Sequence, residues 1–433
     1  MLDYTVGGPE AKNAEVNGLV DADWYKPKVD RELMKQFMAR NNGLAALHVA
    51  SWFAALGIFG YLAHRSWGTW WAVPAFAVYG VLYGSMSDSR WHETGHRTAF
   101  RTKWMNDVIY YIASFMVFRE PETWRWSHAR HHSDTIIVGR DAEIAFKRNV
   151  PFYKYLLELV SFGAFPAELK QWMQNAFGKM TDNQKDFQPA ETYRISKWAS
   201  RVYLSILIAT VFVSWQIKSF EPLMFIGLPS IYGHWFVVVL GVTQHAGLAE
   251  NTTDHRLNTR TVYMGPLNRW IYWNMNYHIE HHIYPSVPFH QLKNLHHAIK
   301  DQLPAPHPST ISALREVVYA LRRQAKDEGF FIESEAEYNA LLEKVVPSKE
   351  RDLEKFKPEI KRMLENEIIS RYYFQRGRAV HAFKDDLNIS KSIAGATKTG
   401  ELQDRKVAKK KLFALPETRL DKVFAVAGPN PSK

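Results

Sequence analysis

Eight of the eighteen histidines in this sequence stand in three short clusters, and their spacing could hold metal. The first reads His92-Glu93-Thr94-Gly95-His96, the second His128-Ala129-Arg130-His131-His132, and the third His278-Ile279-Glu280-His281-His282. On a helix, residues three and four apart share a face, so HxxxH aims two imidazoles together and HxxHH aims three. Neutral imidazole suits iron, copper, nickel or zinc. His245, alone in GVTQHAGLAEN at the end of an apolar run, adds a ninth candidate. Nine side chains exceed what one tetrahedral or octahedral ion can use. They match two ions with positions left open.

Other residues near the clusters have lesser roles. Of Glu93, Asp134, Asp141, Glu143 and Glu280, some are expected to accept the second N–H of a metal-binding imidazole, which fixes its tautomer, the alternative being plain surface charge. Trp124 and Trp126 line either the site or a membrane interface. His234 lies within an apolar run and reads as structural, as do His48, His64, His255, His290, His296, His297, His307 and His381.

Composition removes several chemistries. Without cysteine there is no disulfide, Cys-ligated zinc, thiolate haem or iron–sulfur cluster, Rieske centres included. Redox chemistry with O₂ would therefore need electrons from a separate donor. The net charge of +11 raises nucleic acid as a partner, but no nucleic-acid motif accompanies it. Basic flanks beside membrane spans, drawn to anionic lipid, account for it better.

A mean hydropathy of −0.31 hides two apolar blocks. Gly43–Ala63 and Gly68–Met86 form one pair of runs, joined at a tip with Trp67, Trp70 and Trp71. Ser200–Ile217 and Pro222–Val242 form the second, its last arm kinked at Pro229 and Gly233. Each run approaches the length needed to cross a hydrocarbon core of ~30 Å. The pieces at 108–118 and 152–166 are too short and read as interfacial or re-entrant helices.

The expected fold is all-α and integral to the membrane. Four transmembrane helices form two hairpins, under a cytoplasmic helical cap that carries the histidine clusters. Both termini and the 87–199 loop hold most of the Lys and Arg, which places them in the cytoplasm. The expected domains are a polar leader at 1–42, a membrane domain at 43–300 and a basic helical extension at 301–433. The polar N-terminus shows no signal-peptide pattern. Within the extension, Lys357–Gly377 reads as an amphipathic helix with Ile360, Leu364 and Ile368 on one face, followed by a basic run at Lys409–Lys411. The piece EIISRYYFQRGRAVHAFKDDL is similar to a helical tail that follows some processing proteases.

HETGH, HARHH and HIEHH, in this order and at these intervals, resemble the three histidine boxes of the membrane fatty acid desaturase/hydroxylase superfamily. The third box lies in NYHIEHHIYPSVPFHQL, similar to the acyl-lipid desaturase pattern. The resemblance covers roughly residues 40–300. It implies two non-haem irons held by His92, His96, His128, His131, His132, His278, His281 and His282, with His245 as the further histidine after the fourth helix. It also implies O₂, a fatty acyl substrate drawn from the bilayer, and a separate donor such as a ferredoxin or b-type cytochrome with its reductase. In some relatives an Asn one turn before the lone histidine holds a metal-bound water. Gly241 stands there in this chain, and Asn274 or Asn276 are the candidates to replace it.

Desaturation is the first expectation. Some relatives with similar boxes are hydroxylases or oxidative demethylases of small molecules, served by ferredoxin and reductase chains, and that is the alternative. A histidine-rich metal transporter is the remote one, because transporters place ligands within their spans whereas these boxes lie outside them.

Overall fold

The structure, a computed structural model, describes residues 2–148, 150–151, 153–154, 164–327, 329–332 and 356–365. The chain divides into two compact units, Met1–Glu333 and Ser334–Lys433. In the second unit the described stretch is a helix over 356–365, with Ile360 and Leu364 exposed. The rest of the expected amphipathic helix, the Lys409–Lys411 run, the protease-tail piece and most of the 152–166 piece lie outside the described residues.

The first unit is helical, and among the described residues only two isolated β-bridges occur, Thr261 with Tyr277 and Val262 with His307. Helix α1 (Asn42–Arg65) starts where the Asn41 side chain accepts from the Leu44 N–H. Helix α2 (Ala72–Gly80) runs through one π-helical turn, Val81–Ser85, straight into α3 (Met86–Gly95). Helices α4 (Lys103–Met116), α5 (Pro121–Ser133) and α6 (Ala164–Ala176) follow, then the long α7 (Tyr193–Gln216). The next apolar stretch is broken into Glu221–Phe225, Pro229–Tyr232 and α8 (Trp235–His245). Then come α9 (Pro266–Tyr272), α10 (His278–Ile283), α11 (Leu292–Ile299) and α12 (Thr310–Gln324).

Two helices are long and apolar enough to cross a membrane, within Arg31–Arg65 and Ala190–Gln216, with mean hydropathy 1.6 and 1.4. The other two arms of the expected hairpins are helical but interrupted. The second gains a π turn and then a polar run from Ser85 to Ser89, where it enters the first histidine box. The fourth breaks around Pro229 and Gly233, the positions expected to kink it.

Both interruptions lie beside a very close approach of backbones. Gly80 and Gly84 sit four residues apart and face Gly233. A Cβ added at Gly233 would lie 1.8 Å from the Gly80 carbonyl oxygen, and one at Gly84 would lie 2.6 Å from that of Pro229. Only glycine permits this, the same logic by which small residues let membrane helices touch. Ser85 secures the contact: its hydroxyl donates to the Gly233 carbonyl and accepts from the Val237 N–H at 2.9 Å. At the opposite end the two hairpin tips meet through His64 and Glu221, 2.7 Å apart.

The N-terminal segment, expected as a polar leader, packs as a strap across the loops behind the histidine boxes. The Tyr4 hydroxyl donates to Glu250 (2.9 Å) and the Gly7 N–H to the Gly139 carbonyl (2.9 Å). Trp24 stacks on His255 at 4.2 Å, and Tyr284 donates to the Pro27 carbonyl at 2.6 Å. Charge and polarity concealed this, because the anchoring residues are single aromatics and glycines spaced too widely to form a pattern.

Gly233→Ala must push α2 and the fourth arm apart. The expected outcome is a thermal midpoint lowered by a cost of about 1–3 kcal/mol, the usual range for overpacking. Gly57→Ala, where an added Cβ meets nothing within 4 Å, serves as the control and leaves the midpoint unchanged or higher. Equal midpoints for the two variants in detergent would refute the close contact.

Candidate metal centre

Four segments bring the nine histidines together. Helix α3 ends in the first box, α5 carries the second, α8 ends at His245, and α10 is the third. Each is fixed by buried polar contacts. Arg90, fully buried on α3, donates to the carbonyls of Met86 (3.1 Å), Trp270 (2.9 Å) and Ile271, and its guanidinium lies 4.8 Å over the Trp273 ring. This ties the first box to the segment that leads into the third. Glu120 caps α5, accepting from the Glu122 and Thr123 N–H groups, with Pro121 in the first turn.

The imidazoles fall into two groups. His92, His96, His128, His132 and His281 form one, and His131, His245, His278 and His282 the other. Within each, the candidate ligand atoms all lie within 4.8 Å of one another. The HxxHH boxes therefore do not aim three rings at one point. In each, the first and last histidines serve one group and the middle one serves the other. Residues i+3 and i+4 are roughly 100° apart around a helix, so they flank the first residue on opposite sides. Boxes two and three thus exchange their middle histidines, with the His132 and His282 rings stacked between the groups at 4.3 Å.

The chemistry of this donor set fits metal ions. His245 Nδ1 donates to the Asn258 carbonyl at 2.8 Å, so its Nε2 presents a lone pair. The Thr135 hydroxyl is already donating to the His131 carbonyl, so it accepts from His282 Nδ1 at 3.2 Å and leaves His282 Nε2 a lone pair too. Both nitrogens face His278 Nε2, at 3.0 and 3.1 Å. In the other group His128 Nε2 lies 3.1 Å from His96 Nε2 and 3.2 Å from His132 Nε2. Facing lone pairs repel unless a cation lies between them. Both ring nitrogens of His92, and Nδ1 of His132 and His281, are buried without a partner.

Burial, reinforced by neighbouring imidazoles, holds His92, His128, His132, His278, His281 and His282 well below the usual histidine range, in the neutral form that binds metal. His131 differs. Burial lowers it, but the Asp141 carboxylate at 2.8 Å and the charge of Glu143 outweigh that and bring it to about 9.

Of the five carboxylates singled out, two meet these imidazoles. Asp141 accepts from His131 Nδ1, and Glu143 from His128 Nδ1 at 3.0 Å. Glu93 instead accepts from Thr98 (2.7 Å) and from the Phe289 N–H (3.0 Å), and Asp134 pairs with Arg140 (2.8 Å). Glu280 is held by Thr261 at 2.6 Å and by His296 Nδ1, and His296 Nε2 lies 2.9 Å from the Tyr263 hydroxyl. His296 is structural, as expected, but it is buried and braces the third box.

Gln244, Thr135 and the Asn258 carbonyl are contacts that sequence reasoning did not find. Gln244 lies 3.3 Å from His278 Nδ1. Asn274 and Asn276, proposed to replace the missing Asn, donate to the carbonyls of Phe289 and Val262 instead. At Gly241 a Cβ would meet only Tyr272 and Gln244, at 3.8 and 3.9 Å. Gly241 borders a cavity of about 370 Å³ that reaches His131 and His245. A smaller cavity of about 80 Å³ is bordered by His92 and His128 from one group and by His131 and His278 from the other.

Asp141→Asn and Glu143→Gln are expected to weaken metal binding by about 10–100-fold, the usual effect of losing an outer partner of a metal-bound histidine. Competition with a chelator, read as metal retained per chain, measures it. His296→Ala should also lose metal through the third box, whereas exposed His297→Ala should not. Unchanged retention in Asp141→Asn would remove Asp141 from this role.

Comparison with known proteins agrees with the geometry. The fatty acid desaturase family matches residues 68–313. Residues 290–394 are similar to the C-terminal helical domain of a probable PDZ-protease, in line with the tail resemblance above. Among curated relatives, a Delta(12) acyl-lipid conjugase (11E,13E-forming) of Impatiens balsamina is 25% identical, over 55% of this chain and 67% of its own. The Delta(5) fatty acid desaturase fat-4 of Caenorhabditis elegans is 23% identical, over 53% and 57%. A chloroplastic omega-6 fatty acid desaturase of Glycine max is 24% identical, over 57% and 60%. The chain thus spans about two-thirds or less of these relatives' lengths. With the family match extending over more than half of its sequence, and the histidine boxes within that match, the chain belongs to the fatty acid desaturase family.

Proposed function

We propose that this chain is a membrane-embedded desaturase-type oxygenase that removes hydrogen from an unactivated C–H bond of a fatty acyl chain. It uses O₂ and electrons from a separate donor, a ferredoxin or b-type cytochrome with its reductase. One observation carries the reading: nine imidazoles converge in two groups around a cavity bordered by both.

Two iron ions, held by His92, His96, His128, His132 and His281 and by His131, His245, His278 and His282, would supply O₂ activation and hydrogen abstraction. The chain's own residues do the rest. Asp141 and Glu143 accept the Nδ1 protons of His131 and His128, which aims Nε2 of each inward; at His128 that nitrogen is a lone pair, and at His131 a bound metal would take the place of its proton. Thr135 and the Asn258 carbonyl do the same for His282 and His245. Ile136, Val237, Val242 and Leu248 give the larger cavity an apolar wall that can lay an alkyl segment beside the histidines and displace water.

The bilayer reading is supported by the exposed surface. Leu47, Ile58 and Tyr61 on α1, Val73 on α2, Ile208, Val211 and Phe212 on α7, and Trp235 on α8 all expose apolar side chains. Such a belt on every arm suits lipid. We take both hairpins to insert, giving four crossings, with the His64–Glu221 tips on one side. The histidine boxes and the basic N-terminal segment then face the cytoplasm. Within the family, a second hydrogen abstraction gives an alkene and oxygen rebound an alcohol.

The test is mass spectrometry of lipids and small metabolites from cells expressing the chain with a matched redox donor, beside the His131→Ala variant. An acyl product lighter by two hydrogens, absent from the variant, is expected. A hydroxylated or demethylated product would replace desaturation with the oxygenase reading. A fully active His131→Ala enzyme would overturn the metal assignment.

A further inference from the structure

The cavity has a second face, and it is not apolar. Asp88 on α3, Arg119 in the turn before α5 and His234 just before α8 line the larger cavity, and Asp88 and Arg119 also line the smaller one between the histidine groups. Arg119 is held rigidly, its guanidinium 4.0 Å over the Trp91 ring and 4.5 Å over that of Trp124. Its Nη1 donates to Asp88 Oδ1. Among the described residues, this is the one hydrogen bond of either side chain, and neither ring nitrogen of His234 has a partner. Guanidinium donors, a carboxylate oxygen and an imidazole therefore remain free toward the cavity.

A plain methylene chain seated here would strip water from these groups and return nothing, which is unfavourable for polar atoms and more so for charged ones. The opposite charges of Asp88 and Arg119 already offset each other, so an ionic substrate group would gain little. A neutral group that both accepts and donates suits the pair better. It can accept from Arg119 and donate to Asp88 Oδ2, with His234 within the same cavity wall.

We propose that Asp88, Arg119 and His234 form a binding site for a neutral hydrogen-bonding group of the substrate, a hydroxyl or carboxamide, close to the carbon that is oxidised. The site rests on the reading of the histidine centre given above. It narrows the substrate from any acyl chain to one that carries such a group near its reacting carbon. The apolar wall formed by Ile136, Val237, Val242 and Leu248 takes the hydrocarbon part.

The test measures binding apart from turnover. Iron-loaded protein in detergent is titrated with decane, 1-decanol and decanamide, using Trp91 and Trp124 fluorescence, with iron per chain recorded for each preparation. The wild type is compared with Asp88→Leu/Arg119→Leu, which removes both charges together and leaves neither one buried alone. Comparing proteins cancels the partition of each probe into detergent. The preference for decanamide and decanol over decane is expected to be at least tenfold greater in the wild type, about 1.4 kcal/mol. If the double variant loses iron, Asp88→Asn and His234→Leu read the same ratio, and each should lower it severalfold. A preference that is equal in the wild type and the variants would overturn the proposal. Selective binding of decanamide with no O₂-dependent product from any substrate would leave this site standing and count against the proposed function instead.

Discussion

Facing lone pairs are the constraint on which this structure depends. Seven of the nine imidazoles bring Nε2 within 3.0–3.2 Å of another Nε2; His128, His245 and His282 commit their Nδ1 protons elsewhere, so their Nε2 lone pairs are repelled by any lone pair that faces them. Such a cluster persists only if the scaffold holds every ring against that repulsion or a cation relieves it. Much of the buried polar machinery can be understood as the first of these. Asp141, Glu143, Thr135 and the Asn258 carbonyl each take an Nδ1 proton and set a ring's direction. Arg90 and the Glu280–His296 pair do the same one step further out, by fixing the backbone that carries the rings.

The positions of those rings were legible in the sequence because helical spacing is a local property. HxxxH and HxxHH declare which residues share a helical side whatever the tertiary structure, and all nine candidates converge. Their division between two groups was less visible. It depends on how α5 and α10 face each other, and the 100° separation of i+3 from i+4 acquires meaning only when two boxes are set opposite one another. The brace on His131 lay ten residues away in a loop, with four other carboxylates equally eligible by type. Distance along the chain did not separate Asp141 from Asp134. The turn at Ile136–Gly139 did, by carrying one carboxylate inward and leaving the other against Arg140.

The apolar arms illustrate the opposite case. Hydropathy marked where the chain is greasy but not where its helices must stop. Gly233 reads as part of a kink, but Gly80 and Gly84 read as ordinary glycines in an apolar run, and the three meet where one arm carries a π turn and the other a break. A π turn shifts the register of everything after it, so the face that α3 turns toward the other boxes is set partly by that turn. The N-terminal strap escaped for a related reason. Its anchors are Tyr4, Gly7, Trp24 and Pro27, which show no periodicity, and their partners lie more than a hundred residues away.

The same distinction bears on the substrate. Histidine spacing reports the face that gathers the imidazoles, and hydropathy the exposed apolar one, but the larger cavity belongs to neither surface alone. Part of its wall is built from the start of α3, the turn after α4 and the segment entering α8. Asp88 lies four residues before His92, so it shares the helical face that carries the first box. A charge at that position is therefore aimed at the cavities by the same helical geometry that aims the histidine. Arg119 answers it from a turn whose preceding residue, Phe118, adopts a left-handed conformation at φ 61. Such a residue is strained unless its surroundings hold it, and here the Trp172 ring stacks on Phe118 at 4.2 Å. The fold thus holds a charged pair against the cavity at a conformational cost. A cavity meant for hydrocarbon alone would be simpler to build with Leu at both positions.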